Sequence, residues 1–320
     1  MTTRTSSRVL QTLALCSVPF LAACGGNEAP PAETAAPPAD DHAHMTSAAA
    51  AGGWNVTDGI ATPESVYVDP ATGWVFASQI DGAPDGRDGN GRIVQLGGDG
   101  HVMSTTWVTG LNAPKGLRSH NGTLWTADLD EVVGIDIASA QITSRTTIAG
   151  AVFLNDVAVG PDGTVYVSDT FGNKIFAVKD GVSSVFAEGE QLEWPNGLLV
   201  DGNRLIVGGW AGRAPKPDFS TEIPGRLFAL DLTTKQKTLI TQKPFANIDG
   251  LESDGRGGYL VTDNPTGKVL QVSATGEIRE LRNVGAGAAD VAFVPQGNVL
   301  IVPHMGENRV ASYDLSAELK

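Results

Sequence analysis

The chain has 320 residues, with 39 Gly, 18 Pro, an apolar share of 41 % and only 18 % charged residues. That excludes a disordered chain, a coiled coil or a helical bundle, and points to a turn-rich globular protein with ample core. A formal charge of −14, from 22 basic against 36 acidic residues, repels phosphate backbones and excludes nucleic acid as a partner, while remaining compatible with binding cations.

In chain order, the first segment reads as a targeting signal. Arg4 and Arg8 precede a mostly apolar stretch at 9–21, which is too short to span a bilayer. It ends in Leu21-Ala22-Ala23-Cys24, which resembles a bacterial lipobox. That implies a lipoprotein signal peptide over 1–23 and lipidation of Cys24; an ordinary signal peptide cut near Ala23 is the alternative. Cys16 leaves with the signal, so no disulfide is expected. Residues 24–53 are mostly Ala, Pro, Glu, Asp and Gly and read as a flexible, lipid-anchored linker. His42 and His44 lie within it and lack a preformed metal site. Gly25 stands where an aspartate often retains lipoproteins at the inner membrane. The expected location is therefore the bacterial cell envelope, on the outer membrane facing the periplasm.

From residue 54 to 320 one unit recurs six times. Each copy opens with an alternating apolar run, turns, and continues into a second β-rich run, as in Leu154-Asn-Asp-Val-Ala-Val-Gly-Pro-Asp-Gly-Thr-Val-Tyr-Val-Ser-Asp169. A third strand follows, for example Lys174-Ile175-Phe176-Ala177-Val178, then a weaker outer one. These are the blades of an all-β, six-bladed β-propeller with four strands per blade. The last copy lacks its outer strand, which Trp54-Asn55-Val56-Thr57 would supply by pairing the two ends of the propeller.

The register of the repeat gives the candidate site. Innermost strands begin at one mouth of a propeller's channel, where Glu64, Lys115, Asn155, Asn196, Asp249 and Asp290 would converge. Packing alone would accept small or apolar residues there, yet all six are charged or amides, and several are hard oxygen donors suited to calcium. The ends of the second strands, Gln79, Asp128, Asp169, Trp210, Asp263 and His304, return to the same mouth and are expected to rim the pocket. For Asp128, Asp169 and Asp263 turn chemistry is the equal alternative.

These positions carry a resemblance. The chain is similar to the SMP-30/gluconolactonase/LRE-like six-bladed propellers over roughly residues 54–314, through Glu64, Asn155-Asp156, Pro195-Asn196-Gly197 and Asp249-Gly250. The resemblance implies one Ca²⁺, or another divalent cation, held by Glu64, Asn155, Asn196 and Asp249. It implies a hydrolase of a lactone or related ester, with Asp249 as base or nucleophile and His304 as a base or water-orienting group. A structural histidine bonded to a neighbour is the alternative for His304. Lys115, Phe153, Trp210 and Asp290 are expected to line the substrate pocket. Phe153 stands where the sugar lactonases carry an arginine, which suggests a less polar or larger ligand. Glu252 matches a carboxylate of a second, structural calcium, but Ala292 replaces its histidine partner.

Electrostatics agrees with a cation. Glu64 and Asp249 facing each other at about 4 Å would repel by about 4 kcal/mol at an effective dielectric near 20. Lys115 as an internal counter-ion is the alternative remedy. The expected partners are a small-molecule substrate and, through the lipid anchor alone, a membrane; a monomer is expected. A non-enzymatic periplasmic propeller with structural calcium, and lyase chemistry, are the rival functions.

Overall fold

The structure is a computed structural model that describes residues 53–320; the expected signal peptide, Cys24 and nearly all of the linker lie outside the described residues. It contains six four-stranded antiparallel sheets arranged as a propeller, five of them simple meanders and the sixth completed by the N-terminal strand. Blade 1 runs through Pro63–Val68, Val75–Gln79, Gly91–Leu96 and Val102–Leu111. The innermost strands of the next four blades are Pro114–His120, Leu154–Val159, Pro195–Asp201 and Ile248–Ser253. In blade 6 the inner strand is only Ala292–Val294. The ring closes as the sequence predicts: Asn55 pairs with Ala311 and Val56 with Val310, making the N-terminal segment the outer strand of the last blade.

Tight turns hold the strands in register. At the tip of the first hairpin of blade 2, Asn121 and Gly122 take φ of 48° and 78°, the pair of positive values that a two-residue hairpin needs. The core lies between blades. One apolar cluster joins Val66, Val75 and Val94 of blade 1 to Ile301 and Val310 of blade 6, and another joins Phe76 and Ile93 to Leu124 and Val133 of blade 2. Each blade is therefore buried on both faces, which explains its nearly continuous apolar strands. Among the described residues no helix is long and apolar enough to cross a membrane.

One irregularity recurs and positions the site. In blades 1 to 5 the pairing of the first two strands slips at the start of the inner strand, between Pro63 and Val66, Pro114 and Leu117, Leu154 and Val157, Pro195 and Leu198, and Ile248 and Leu251. Such a bulge leaves backbone groups unpaired and re-aims a side chain. A hydroxyl from the second strand repairs the loss: Ser78, Ser168 and Thr262 accept the N–H of Ser65, Asp156 and Gly250 at 2.8–2.9 Å. Three glycines, Gly116, Gly197 and Gly250, follow the re-aimed residue because neighbouring inner strands nearly touch. A Cβ on Gly197 would lie 2.5 Å from the Asp249 carbonyl oxygen, and one on Gly250 2.7 Å from the Val291 nitrogen.

Candidate functional site

The bulges deliver Glu64, Lys115, Asn155, Asn196 and Asp249, one from each of five blades, to the polar floor of one cavity of about 420 Å³. Asn264 joins them from the loop after the second strand of blade 5. It donates from Nδ2 to Asp249 Oδ2 at 2.6 Å, and Asn196 donates to Asp249 Oδ1 at 3.2 Å. Lys115 donates to the Ala113 carbonyl at 3.0 Å, with its ammonium 4.6 Å from the centre of the Phe153 ring. Glu64 Oε2 and Asn196 Oδ1 are buried with no hydrogen-bond partner.

The floor is electrostatically strained as it stands. Burial first, and Asp249 second, raise the Glu64 carboxyl well above its ordinary range, with Lys115 only partly opposing. Burial and then Asp290 push Asp249 up to about 7, against the two amides that donate to it. Lys115 is lowered to about 8 by burial, with Glu64 opposing. Among the described residues no three His, Cys, Asp or Glu side chains gather as a metal site. The donor set here is mixed, two carboxylates and two amides. Its unpartnered Glu64 and Asn196 oxygens, beside carboxylates that burial and crowding drive toward protonation, are the chemistry a hard divalent cation fits.

Two sequence expectations are corrected by where the side chains go. Asp290 does not line the cavity. It precedes the shortened inner strand of blade 6, bridges to Ser65 in parallel, and accepts the Ser65 hydroxyl at 2.6 Å. His304 also lies outside the cavity wall, which its neighbour Met305 joins instead. The His304 side chain is fully buried against the third strand of its own blade. Arg309 donates to Nδ1 at 3.2 Å, so Nε2 carries the proton and donates to the Tyr313 hydroxyl at 3.0 Å. Burial and then Arg309 lower it to about 4, which leaves it neutral and engaged in structure.

The other second-strand ends follow turn chemistry. Asp128 accepts the N–H of Asn112 and Ala113, Asp169 that of Val152 and Phe153, Asp263 that of Asn247, and Gln79 that of Ala61. Each ties down the loop that enters its own inner strand, so of the six only Trp210 lines the cavity. Phe153 and Trp210 line the wall, joined by Phe219 of the insertion at residues 211–225 between the second and third strands of blade 4. The loop at 81–91 contributes Pro84 to the wall, although its composition reads as solvated.

Sequence reasoning missed three features. Asn264 sits in a Thr-Asp-Asn run that reads only as a turn. Phe219 lies in an insertion whose fold has no repeat to guide it. Arg118, three residues after Lys115, donates to Glu252 Oε1 at 2.7 Å and stacks 5.0 Å from the centre of the Tyr67 ring. Burial works against its charge, but Glu252 and other acidic neighbours hold its pKa above the ordinary value. Glu252, which matches a second-calcium carboxylate whose histidine partner is replaced here by Ala292, has a guanidinium as its partner.

The fold and site together define a six-bladed propeller with a polar-floored, aromatic-walled cavity. No protein-family profile matches the chain, and no curated protein is similar to it in sequence. Solved structures do match in fold. A gluconolactonase from Xanthomonas campestris aligns with a TM-score of 0.57 at 18 % identity, covering 78 % of this chain and 84 % of that one. A catalytically inactive histidine-to-alanine variant of virginiamycin B lyase from Staphylococcus aureus, solved with quinupristin, aligns at 0.55 and 15 % identity, covering 82 % and 97 %. A chain of a nidogen/laminin complex aligns at 0.57 and 13 % identity, covering 71 % and 87 %. At these identities the likeness is one of fold alone.

Proposed function

We propose that the protein is a divalent-cation-dependent hydrolase, with Ca²⁺ the expected ion, acting on a lactone or related ester in the bacterial cell envelope. One observation carries the reading: Glu64, Asn155, Asn196 and Asp249 meet on the floor of one cavity, and two of their oxygens are buried without a partner. Those four residues would hold the ion, which when bound supplies Lewis-acid polarisation of the carbonyl and positive charge for the oxyanion. Asn196 and Asn264 fix the Asp249 carboxylate from both sides, leaving it oriented to take a proton. In the reaction a water oxygen bonds to the carbonyl carbon, its proton passes to Asp249, and the ring C–O bond breaks. The same proton then returns to the departing alkoxide. His304 has no part in this, since its side chain lies outside the cavity.

The test is a calorimetric Ca²⁺ titration of the EDTA-stripped chain and of Asp249→Ala, followed by rates on a lactone panel. Saturable binding with calcium-dependent turnover in the parent, both lost in the variant, is the expected result. Absence of binding in the parent refutes the reading.

A further inference from the structure

The polar chemistry of the cavity is concentrated on its floor, while one wall is aromatic. Phe153 lines it from the loop before blade 3 and Phe219 from the insertion in blade 4, while Phe171, from the turn after the second strand of blade 3, packs against both without lining the cavity. Their rings meet edge-on, with centroids 5.1, 5.6 and 4.8 Å apart. Trp210 stands beside them, and its single polar atom, Nε1, is used by the Phe219 carbonyl at 3.1 Å.

Few polar groups reach this wall: Thr170 and Ser220 are engaged within the protein, and the exposed Asp218 carboxylate keeps one oxygen free. Thr170 donates its hydroxyl to the Pro195 carbonyl at 2.9 Å, and Ser220 donates its own to Asp218 at 2.6 Å. Phe219 has φ of 66°, in the left-handed region that a bulky side chain avoids. It is held there by its N–H to the Lys216 carbonyl, by the Trp210 indole and by the two other phenylalanine rings. A strained, half-buried aromatic fixed on several sides marks a place where its surroundings, not local preference, set the conformation.

A sugar lactone seated on this floor would present several hydroxyls to a wall that offers few free partners, Asp218 among them, with a loss of roughly tenfold or more in affinity for each hydroxyl left unpaired. An alkyl chain or aryl ring would instead cover the phenylalanine faces. We infer that the site takes a lactone or ester whose non-reacting part is a bulky apolar group seated against Phe153, Phe219 and Trp210, and that it discriminates against polyhydroxylated lactones. The reacting half of this inference rests on the hydrolase reading; the apolar half rests on the wall.

Non-hydrolysable lactams separate the two. Binding of 5-hexyl-2-pyrrolidinone and of gluconolactam to the full, Ca²⁺-loaded chain is measured by calorimetry. The hexyl lactam is expected to bind at least tenfold more tightly. Phe219→Gly removes one ring while suiting the positive φ, and is expected to weaken the hexyl lactam about tenfold and gluconolactam less than twofold. Equal or tighter binding of gluconolactam, no binding of either lactam, or an equal effect of Phe219→Gly on both overturns the inference. Turnover of γ-decalactone and gluconolactone is measured in parallel. Preference for the hexyl lactam without hydrolysis of any lactone leaves the inference standing and removes the hydrolase reading; hydrolysis of gluconolactone with no apolar preference does the reverse.

Discussion

Replacing Asp249 by Asn should stabilise the metal-free protein while abolishing its response to calcium. Burial first, and Asp290 second, move the Asp249 carboxyl from its ordinary 3.8 to about 7, which corresponds to about 4 kcal/mol in favour of the neutral form. Between these values the folded state binds more protons than the unfolded one, so this group's stability contribution is largest at low pH and declines as pH rises toward 7. Asparagine removes the charge and keeps the shape. Asn196 can rotate to receive it, because its Oδ1 has no partner to lose. In EDTA at pH 8 the variant should melt about 5–10 °C above the parent, allowing for relaxation around a buried charge, and at pH 4 the gap should nearly close. Calcium at pH 8 should raise the melting temperature of the parent and leave the variant unmoved. A variant no more stable than the parent in EDTA at pH 8 would refute the reasoning. It would mean that the parent already neutralises Asp249 internally, with Lys115 as the counter-ion.

Two further substitutions test the assignments around the floor. His304 is lowered to about 4 by burial and then by Arg309, so its contribution is complete above about pH 6.5 and lost as pH falls to about 4, by about 3 kcal/mol. His304→Gln should flatten that slope in urea unfolding and keep turnover within about threefold at pH 7.5; a hundredfold fall in kcat at unchanged KM would return the histidine to catalysis. Arg118→Met leaves Glu252 uncompensated beside the buried Asp156 and Asp290, and should cost about 3–5 kcal/mol in urea unfolding, with part recovered by Arg118→Lys. An unchanged midpoint in Arg118→Met would show that the guanidinium is not the channel's counter-ion.

Much of this architecture is legible in the sequence because it repeats. Six copies of one hairpin give the blade count, and the absence of an outer strand in the last copy identifies Asn55-Val56 as the closing strand. The same register brings Glu64, Lys115, Asn155, Asn196 and Asp249 to one floor, because each sits at the same bulge. What breaks the repeat is not legible. Asp290 fails to join the floor because it stands one residue past the ring position: Ala288 pairs with His304 as Leu154 pairs with Asp169, so Ala289 corresponds to Asn155 and Asp290 to Asp156. His304 has the register position expected of a pocket residue, but Arg309 and Tyr313 of the neighbouring strand hold its ring away. Phe219 depends on how an insertion folds, and a propensity argument would not place a bulky residue at positive φ.

The contrast between two layers of the channel explains why the ring residues, and not those below, form the site. Three positions along the inner strands from the ring lie Tyr67, Arg118 and Glu252, at equal offsets in three different blades. In this layer the charges are matched: Arg118 pairs with Glu252 and stacks on Tyr67, although the Arg118 Nε has no hydrogen-bond partner. The ring layer has the same ingredients but remains open. Lys115 gives its hydrogen bond to Ala113 and forms no ion pair with a carboxylate among the described residues, while Glu64 and Asp249 stay crowded and two ring oxygens go unused. A buried layer that neutralises itself gains nothing from a cation, whereas one that holds excess carboxylate charge and spare oxygens does. The inner bulge is what makes the difference, since it turns these side chains out of the sheet toward the cavity, where an ion and a substrate can reach them.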